Sequence, residues 1–278
     1  MELRNDVLAY YSKVAPKLAD FLGKKEIASR IWLPTGMKFL VRGTKEEPLY
    51  ADEFSAADGK FFSLRPMHLD GARPKLTEQQ AKLWKYFPPR KLSDLFYATN
   101  SEHGEKIDRI FFDLDRGDGV TAGQALEVTR AFCKTIEDSS DYAPKAFWTG
   151  NSFHVFLMLG KNVPLDEYEK FKVGKGVEGT IAEGWIAKTQ KSVGTRIVGG
   201  HEKEKGVINI DPSQTPPGKL CRAPFSLHMK DARTVDGVEI PLSAEMLENI
   251  KAAELEAYAP DKVIDNLDAL AKILPKAR

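Results

Sequence analysis

The chain has 278 residues, 42% of them hydrophobic and 29% charged, proportions of a folded globular protein that exclude long disordered tracts. Its 41 basic and 40 acidic side chains leave a formal charge of +1, so any electrostatic footprint for a polyanion must come from local clustering. No apolar run approaches the roughly 20 residues that span a bilayer, and the start MELRNDVLAYY has acids where a secretory signal is basic; no membrane association and a cytoplasmic location are expected.

The first 22 residues place Leu3, Val7, Leu8, Tyr11, Val14, Leu18, Phe21 and Leu22 on one helical stripe ahead of Gly23, the pattern of a core-facing amphipathic helix with a glycine stop. Ile27–Trp32 and Met37–Arg42, separated by Pro34, Thr35 and Gly36, read as two strands joined by a turn. Phe61–Arg65 is a further expected strand, and Thr77 with Gln80 forms a capping box for a helix over AKLWKYF that Pro88 and Pro89 end.

Ile107 to Asp113 reads as a buried strand, followed by a glycine-bearing turn and a helix from Thr121 to Glu137. Lys145–Thr149 and His154–Leu159 read as arms of a hairpin around Gly150, Asn151 and Ser152. Residues 164–200 are polar and rich in Gly and Lys, as an inserted or mobile element would be. Val207–Asp211 and Phe225–Met229 are short strands, and residues 243–257 and 260–274 are helical. The length fits one large domain or two closely packed modules. Cys133 and Cys221 make neither a disulfide framework nor a CxxC, so they are expected as buried thiols.

Chemistry concentrates at three places. In Phe111-Phe112-Asp113-Leu114-Asp115 two acids end an apolar strand, and period two puts both on one face. Adjacent buried carboxylates repel unless a cation lies between them, and oxygen ligands suit magnesium or manganese; the alternative is a turn that Asp115 begins and Asp113 caps. A third acid, Asp211, ends the strand VINID, and three strand-end carboxylates meet the needs of a two-metal phosphoryl-transfer site. Between them, Trp148-Thr149-Gly150-Asn151-Ser152-Phe153-His154 offers loop amides, hydroxyls and a histidine to a phosphate, or else is a hairpin with an incidental histidine. After Asp211, Lys219-Leu220-Cys221-Arg222-Ala223-Pro224-Phe225-Ser226-Leu227-His228-Met229-Lys230 interleaves cations with an apolar scaffold. A continuous strand would show Arg222 and His228 on one face, as a pocket wall or a solvated edge, although Pro224 interrupts it.

The order DLD, then TGNSFHV, then NID with CRAPFSLHMK resembles the three motifs of the archaeo-eukaryotic primase superfamily, which includes primase small subunits and the polymerase domains of end-joining ligases. The resemblance covers about residues 107–242; Tyr10-Tyr11 through Pro16 and the Asp94–Asn100 stretch are faintly similar to the ligase polymerase domains. It implies an α/β (α+β) fold of two packed modules, the second with an RNA-recognition-motif-like antiparallel sheet and the active site in the cleft between them. The catalytic domain would span 1–242, with a helical extension over 243–278 packed on it. By the same resemblance Asp113, Asp115 and Asp211 are catalytic metal ligands for two Mg2+ or Mn2+ ions. Thr149, Asn151, Ser152, His154, Arg222, Ser226, His228 and Arg30 bind the incoming nucleotide. Thr149 stands where the family has serine and Ser152 where it often has glycine. No cysteine/histidine cluster is present, so no structural zinc is expected.

The implied activity is a DNA primase or primer-extending polymerase working on a single-stranded DNA template, a primer strand and nucleoside triphosphates. A larger replication or repair subunit is a further implied partner, and Lys170, Lys172, Lys175, Lys188, Lys191 and Arg196 are candidates to line a template path. Two other readings compete. One is a phosphatase of the haloacid-dehalogenase type, in which Asp113 is a nucleophile; the other is a catalytically inactive nucleic-acid-binding subunit that retains the fold.

Overall fold

The computed structural model describes residues 3–33, 35–56, 75–86, 93–202 and 204–276. The expected strand at Phe61–Arg65 and the helix stop at Pro88 and Pro89 lie outside them. In chain order the strands are β1 (Ile27–Trp32), β2 (Lys38–Arg42), β3 (Ser93–Ala98), β4 (Lys106–Arg116), β5 (Pro144–Trp148), β6 (Phe153–Pro164), β7 (Arg196–Gly199), β8 (Val207–Asp211), β9 (Leu220–Arg222), β10 (Leu227–Met229), β11 (Val235–Val238) and β12 (Ile240–Pro241). The helices are α1 (Leu3–Val14), α2 (Ala19–Leu22), α3 (Glu78–Tyr86), α4 (Ala122–Ser139), α5 (Ile181–Gln190) and the C-terminal α6 (Ala244–Asn249), α7 (Ala252–Glu256), α8 (Pro260–Asp265) and α9 (Leu267–Ile273).

Two main sheets organise this mixed α/β fold. A six-stranded sheet runs β12-β5-β6-β4-β8-β7, and a four-stranded antiparallel sheet runs β2-β1-β3-β9. Within the larger sheet, β4-α4-β5-β6-α5-β8 are arranged β5-β6-β4-β8 with antiparallel pairs throughout, the connectivity of an RNA-recognition motif. Parallel β7 and short β12 extend its edges.

Alternation along β4 decides which layer covers which face. Phe112 packs on Phe132 of α4 at 5.4 Å and on Trp185 of α5 at 6.4 Å. Phe111, one position earlier and on the opposite face, meets Phe156 at 5.0 Å, and Phe156 meets Phe21 at 5.8 Å. Phe21 in turn packs on Tyr97 of β3 at 5.5 Å, so one aromatic chain joins the two sheets. Arg109 pins the same junction: fully buried, it lies over the Phe21 ring, donates to the Phe21 carbonyl at 3.0 Å and pairs with Asp108 at 2.7 Å.

Several expectations change. The N-terminal helix is broken into α1, a 3-10 turn at Ala15–Leu18 and α2, because Pro16 has no amide to donate; Val7, Tyr11, Val14, Leu18, Phe21 and Leu22 of its stripe are nevertheless buried. Residues 164–200 are no insertion: Trp185 of α5 is 2% exposed and β7 completes the sheet. The C-terminal helices are four short ones, interrupted where Ile250 is extended, where Pro260 forces Ala259 out of the helical region and where Asn266 leaves it. Arg130 of α4 holds that segment through the carbonyls of Leu247 and Ile250, at 2.5 and 2.6 Å. The expected strand over Phe225–Met229 begins only at Leu227, since Phe225 has φ +64°. No helix among the described residues is long and apolar enough to cross a membrane.

Candidate active site

Asp113 sits at the centre of a row that crosses three strands. Its register partner on β6 is His154 and its partner on β8 is Asp211; one step on, Asp115 pairs with Asn209. Cross-strand partners share a face, so the expected trio of acids and His154 emerge on one side of the sheet. The neighbouring row, Leu114 with Phe153 and Ile210, is fully buried on the other face.

Burial above all, opposed by His154 and Arg222 and reinforced by Asp115 and Asp211, raises the Asp113 carboxyl to about 7. Burial also pushes the His154 imidazole down, but Glu239 and Asp113 outweigh it and the net shift is upward. The Nδ1 of His154 lies 3.3 Å from Oε1 of Glu239 and its Nε2 lies 3.7 Å from Oδ1 of Asp113. Asp211 accepts from the Ser213 amide at 2.9 Å and hydroxyl at 2.7 Å, with Nδ1 of His201 at 3.5 Å. Asp115 is exposed and lines a cavity of about 320 Å³ with Asp118, His201, Glu204, Lys205 and Asn209.

The loop between β5 and β6 closes on itself. Thr149 donates its amide to the Ser152 carbonyl, and its hydroxyl accepts from the amides of Asn151 and Ser152 at 3.4 and 2.9 Å. The Ser152 hydroxyl donates to the Leu114 carbonyl, and Arg116 donates to the Asn151 side chain. A pair of glycines then seats the loop on β11: a Cβ on Gly237 would stand 2.6 Å from the Gly150 Cα, and Gly150 itself has φ +93°. Gly237 is the register partner of His228, whose Nδ1 reaches the Thr149 carbonyl at 3.0 Å. A carbonyl only accepts, so Nδ1 carries the proton. Burial, then Arg222, push His228 down to about 3, and the ring is neutral.

Arg222 and His228 reach this place by different routes than one strand face. Arg222 is on β9 of the four-stranded sheet and His228 on β10 of a separate two-stranded ribbon, because Pro224 and the left-handed Phe225 turn the chain between them. Asp94, fully buried on β3, is the hub of the cationic wall. Its Oδ2 accepts from Nε and Nη2 of Arg30, its register partner on β1, and lies 3.5 Å from Nη1 of Arg222. Both guanidinia lie over the Phe96 ring, at 5.0 and 5.2 Å.

Asp113, Asp115, Asp211, His154, Arg222, His228 and Arg30 are thus brought into one neighbourhood. Ser226 is fully buried, and its hydroxyl accepts from the Leu95 amide at 2.7 Å. The lysines proposed for a template path are partly neutralised: Lys170 pairs with Glu167, Lys172 with Glu169 and Arg196 with Glu204. Sequence reasoning missed Asp94 and Glu239; in SDLFYA and GVEIPL, the signal was a single acid inside an apolar run.

The donor chemistry at the row fits a hard divalent cation: three carboxylates on one face, one of them kept from ionising chiefly by burial and further by the other two. Among the described residues no three His, Cys, Asp or Glu side chains converge as a finished cage. The Ser213 bonds hold the Asp211 carboxylate, and each of its oxygens keeps a lone pair for an ion.

No protein-family profile matches the chain, and no curated protein does. Among solved structures it is similar to the polymerase domain from Mycobacterium tuberculosis Ligase D in complex with DNA, with a TM-score of 0.61 and 18% identity over 98% of this chain and 93% of that chain. The two share a fold over nearly their whole lengths.

Proposed function

We propose that this protein is a template-dependent nucleotidyltransferase, a DNA primase or primer-extending polymerase, with its active site on the Asp113 row. The observation that carries the reading is the juxtaposition of Asp113, Asp211 and His154 as register partners, with Asp115 one step away. The shared fold with a polymerase domain solved with DNA supports it.

Asp113, Asp115 and Asp211 hold two Mg2+ or Mn2+ ions. When bound, such ions neutralise the triphosphate and lower the pKa of the attacking hydroxyl. His154 and Arg222 bind the phosphates, with Arg30 held beside them by Asp94; His228 adds a neutral imidazole to the same wall. A phosphate entering the Thr149–Ser152 loop exchanges with the Thr149 hydroxyl for the amides of Asn151 and Ser152. The acceptor is the 3′-hydroxyl of a primer on a single-stranded DNA template, or of a first nucleotide, and it displaces pyrophosphate from the α-phosphate. Residues 1–242 form the catalytic domain and 243–278 a helical extension.

The test is incubation of the protein with primed and unprimed single-stranded DNA, labelled nucleotides and either Mg2+ or Mn2+, with a chelated control. Cation-dependent strand growth with release of pyrophosphate supports the reading. Phosphomonoester hydrolysis without strand growth returns the phosphatase alternative. DNA binding without either reaction returns the inactive subunit.

A further inference from the structure

Behind His154 lies a carboxylate that the proposed chemistry does not touch. Glu239 follows β11 directly and is fully buried. A carboxylate so placed is costly unless paired, and the imidazole Nδ1 at 3.3 Å faces it. Its other oxygen, Oε2, also lies 3.3 Å from Nδ1 and makes no hydrogen bond elsewhere. The Glu239 backbone is braced as well, accepting from the Phe225 amide at 2.8 Å and donating to the Ser226 carbonyl at 3.0 Å. The imidazole is packed edge-on against Phe111, centroids 4.8 Å apart, so the ring is held by its plane and by one nitrogen.

We propose that Glu239 is the positioning residue for His154: by accepting the Nδ1–H it fixes the ring's orientation and presents Nε2, alone, to Asp113 and to a bound triphosphate. This rests on the reading of His154 as a phosphate-binding residue. A carboxylate behind an imidazole keeps a proton on the nearer nitrogen and holds the ring against rotation; the second proton, on Nε2, is the one a phosphate oxygen accepts. Without it, His154 keeps its place on β6 but loses the bond that orients it.

Two measurements decide the matter. In the wild-type protein, 15N spectra of labelled histidine should show His154 protonated at Nδ1, a signature retained in Glu239→Gln, which keeps an acceptor oxygen, and lost in Glu239→Met. An unprotonated Nδ1 in the wild type overturns the pairing, and this readout stands even if the protein transfers no nucleotide, the result that would instead sink the functional reading. In steady-state incorporation, Glu239→Met should raise KM for the nucleoside triphosphate by roughly tenfold, the scale of one charge-assisted hydrogen bond, with kcat changed far less. Glu239→Gln should restore most of it, and Glu239→Met should add nothing in a His154→Ala background. A cooperatively folded Glu239→Met protein with unchanged KM, or losses that add in the double variant, would reduce Glu239 to a packing residue.

Discussion

Asp113 of β4 and Asp211 of β8 are register partners in one antiparallel ladder, so their carboxylates leave the same face of the sheet side by side. Like charges opposite one another destabilise a ladder, and under the proposed function a cation between them would relieve the repulsion.

Burial of Asp113, more than the acids beside it, gives it a pH signature. The Asp113 carboxyl is raised from 3.8 to about 7, so the native state binds more protons than the unfolded chain between those values. The group's contribution is most favourable below about 4 and is lost as pH rises through 7. Without divalent ions, Asp113→Asn should therefore melt higher than wild type at pH 8, by on the order of 1 kcal/mol or more, with the gap closing towards pH 4. Adding Mn2+ should raise the wild-type midpoint at pH 8 and leave the variant almost unmoved; equal shifts in both would place the ion elsewhere.

Asp94 is fully buried against Arg30 and Arg222. Asp94→Ala leaves two guanidinia without their counter-charge, and loss of one partner from a buried pair costs about 3–5 kcal/mol. Urea unfolding should show a loss of that order, and a change under 1 kcal/mol would mean that the arginines find other partners.

Gly237 allows the Thr149–Ser152 loop to lie on β11, since an added Cβ would stand 2.6 Å from the Gly150 Cα. Gly237→Ala should lower kcat/KM by roughly 100-fold, as an ångström-scale misplacement does, while the circular dichroism of the fold persists. Wild-type turnover would show that the loop yields without consequence.

Lys170 and Lys172 pair with Glu167 and Glu169. Their alanine variants should bind single-stranded DNA within about twofold of wild type with an unchanged salt slope. A salt slope reduced by about 1 per lysine would restore them to a template path.

How much of this was legible in the sequence follows from the range of the interactions. The capping box at Thr77 and Gln80 and the helix start at Thr121 are local signals, and both form, the second with a capping box to Gln124 that was not read from the sequence. The acids of β4 and β8 could be read because each ends an apolar strand. The rest depended on pairing between distant segments: β9, β11 and β12 are too short to show a period, and Asp94 and Glu239 acquire meaning only when β3 meets β1 and β9, and when β12 meets β5. The turn that separates Arg222 from His228 was marked by Pro224, but the left-handed Phe225 was not foreseeable from residue type, since aromatic side chains rarely adopt it.

Single-turnover primer extension shows whether the Asp113 row is a cation-dependent nucleotidyl-transfer centre. Wild type, Asp113→Asn and Asp211→Asn would be compared on one primed template, with folding checked by thermal melting. Wild type should extend the primer with Mg2+ or Mn2+, and each folded variant should show a fall of at least about 1,000-fold, the scale of lost electrostatic stabilisation at a reacting centre. Extension at a near-wild-type rate by either variant would contradict that role for the row.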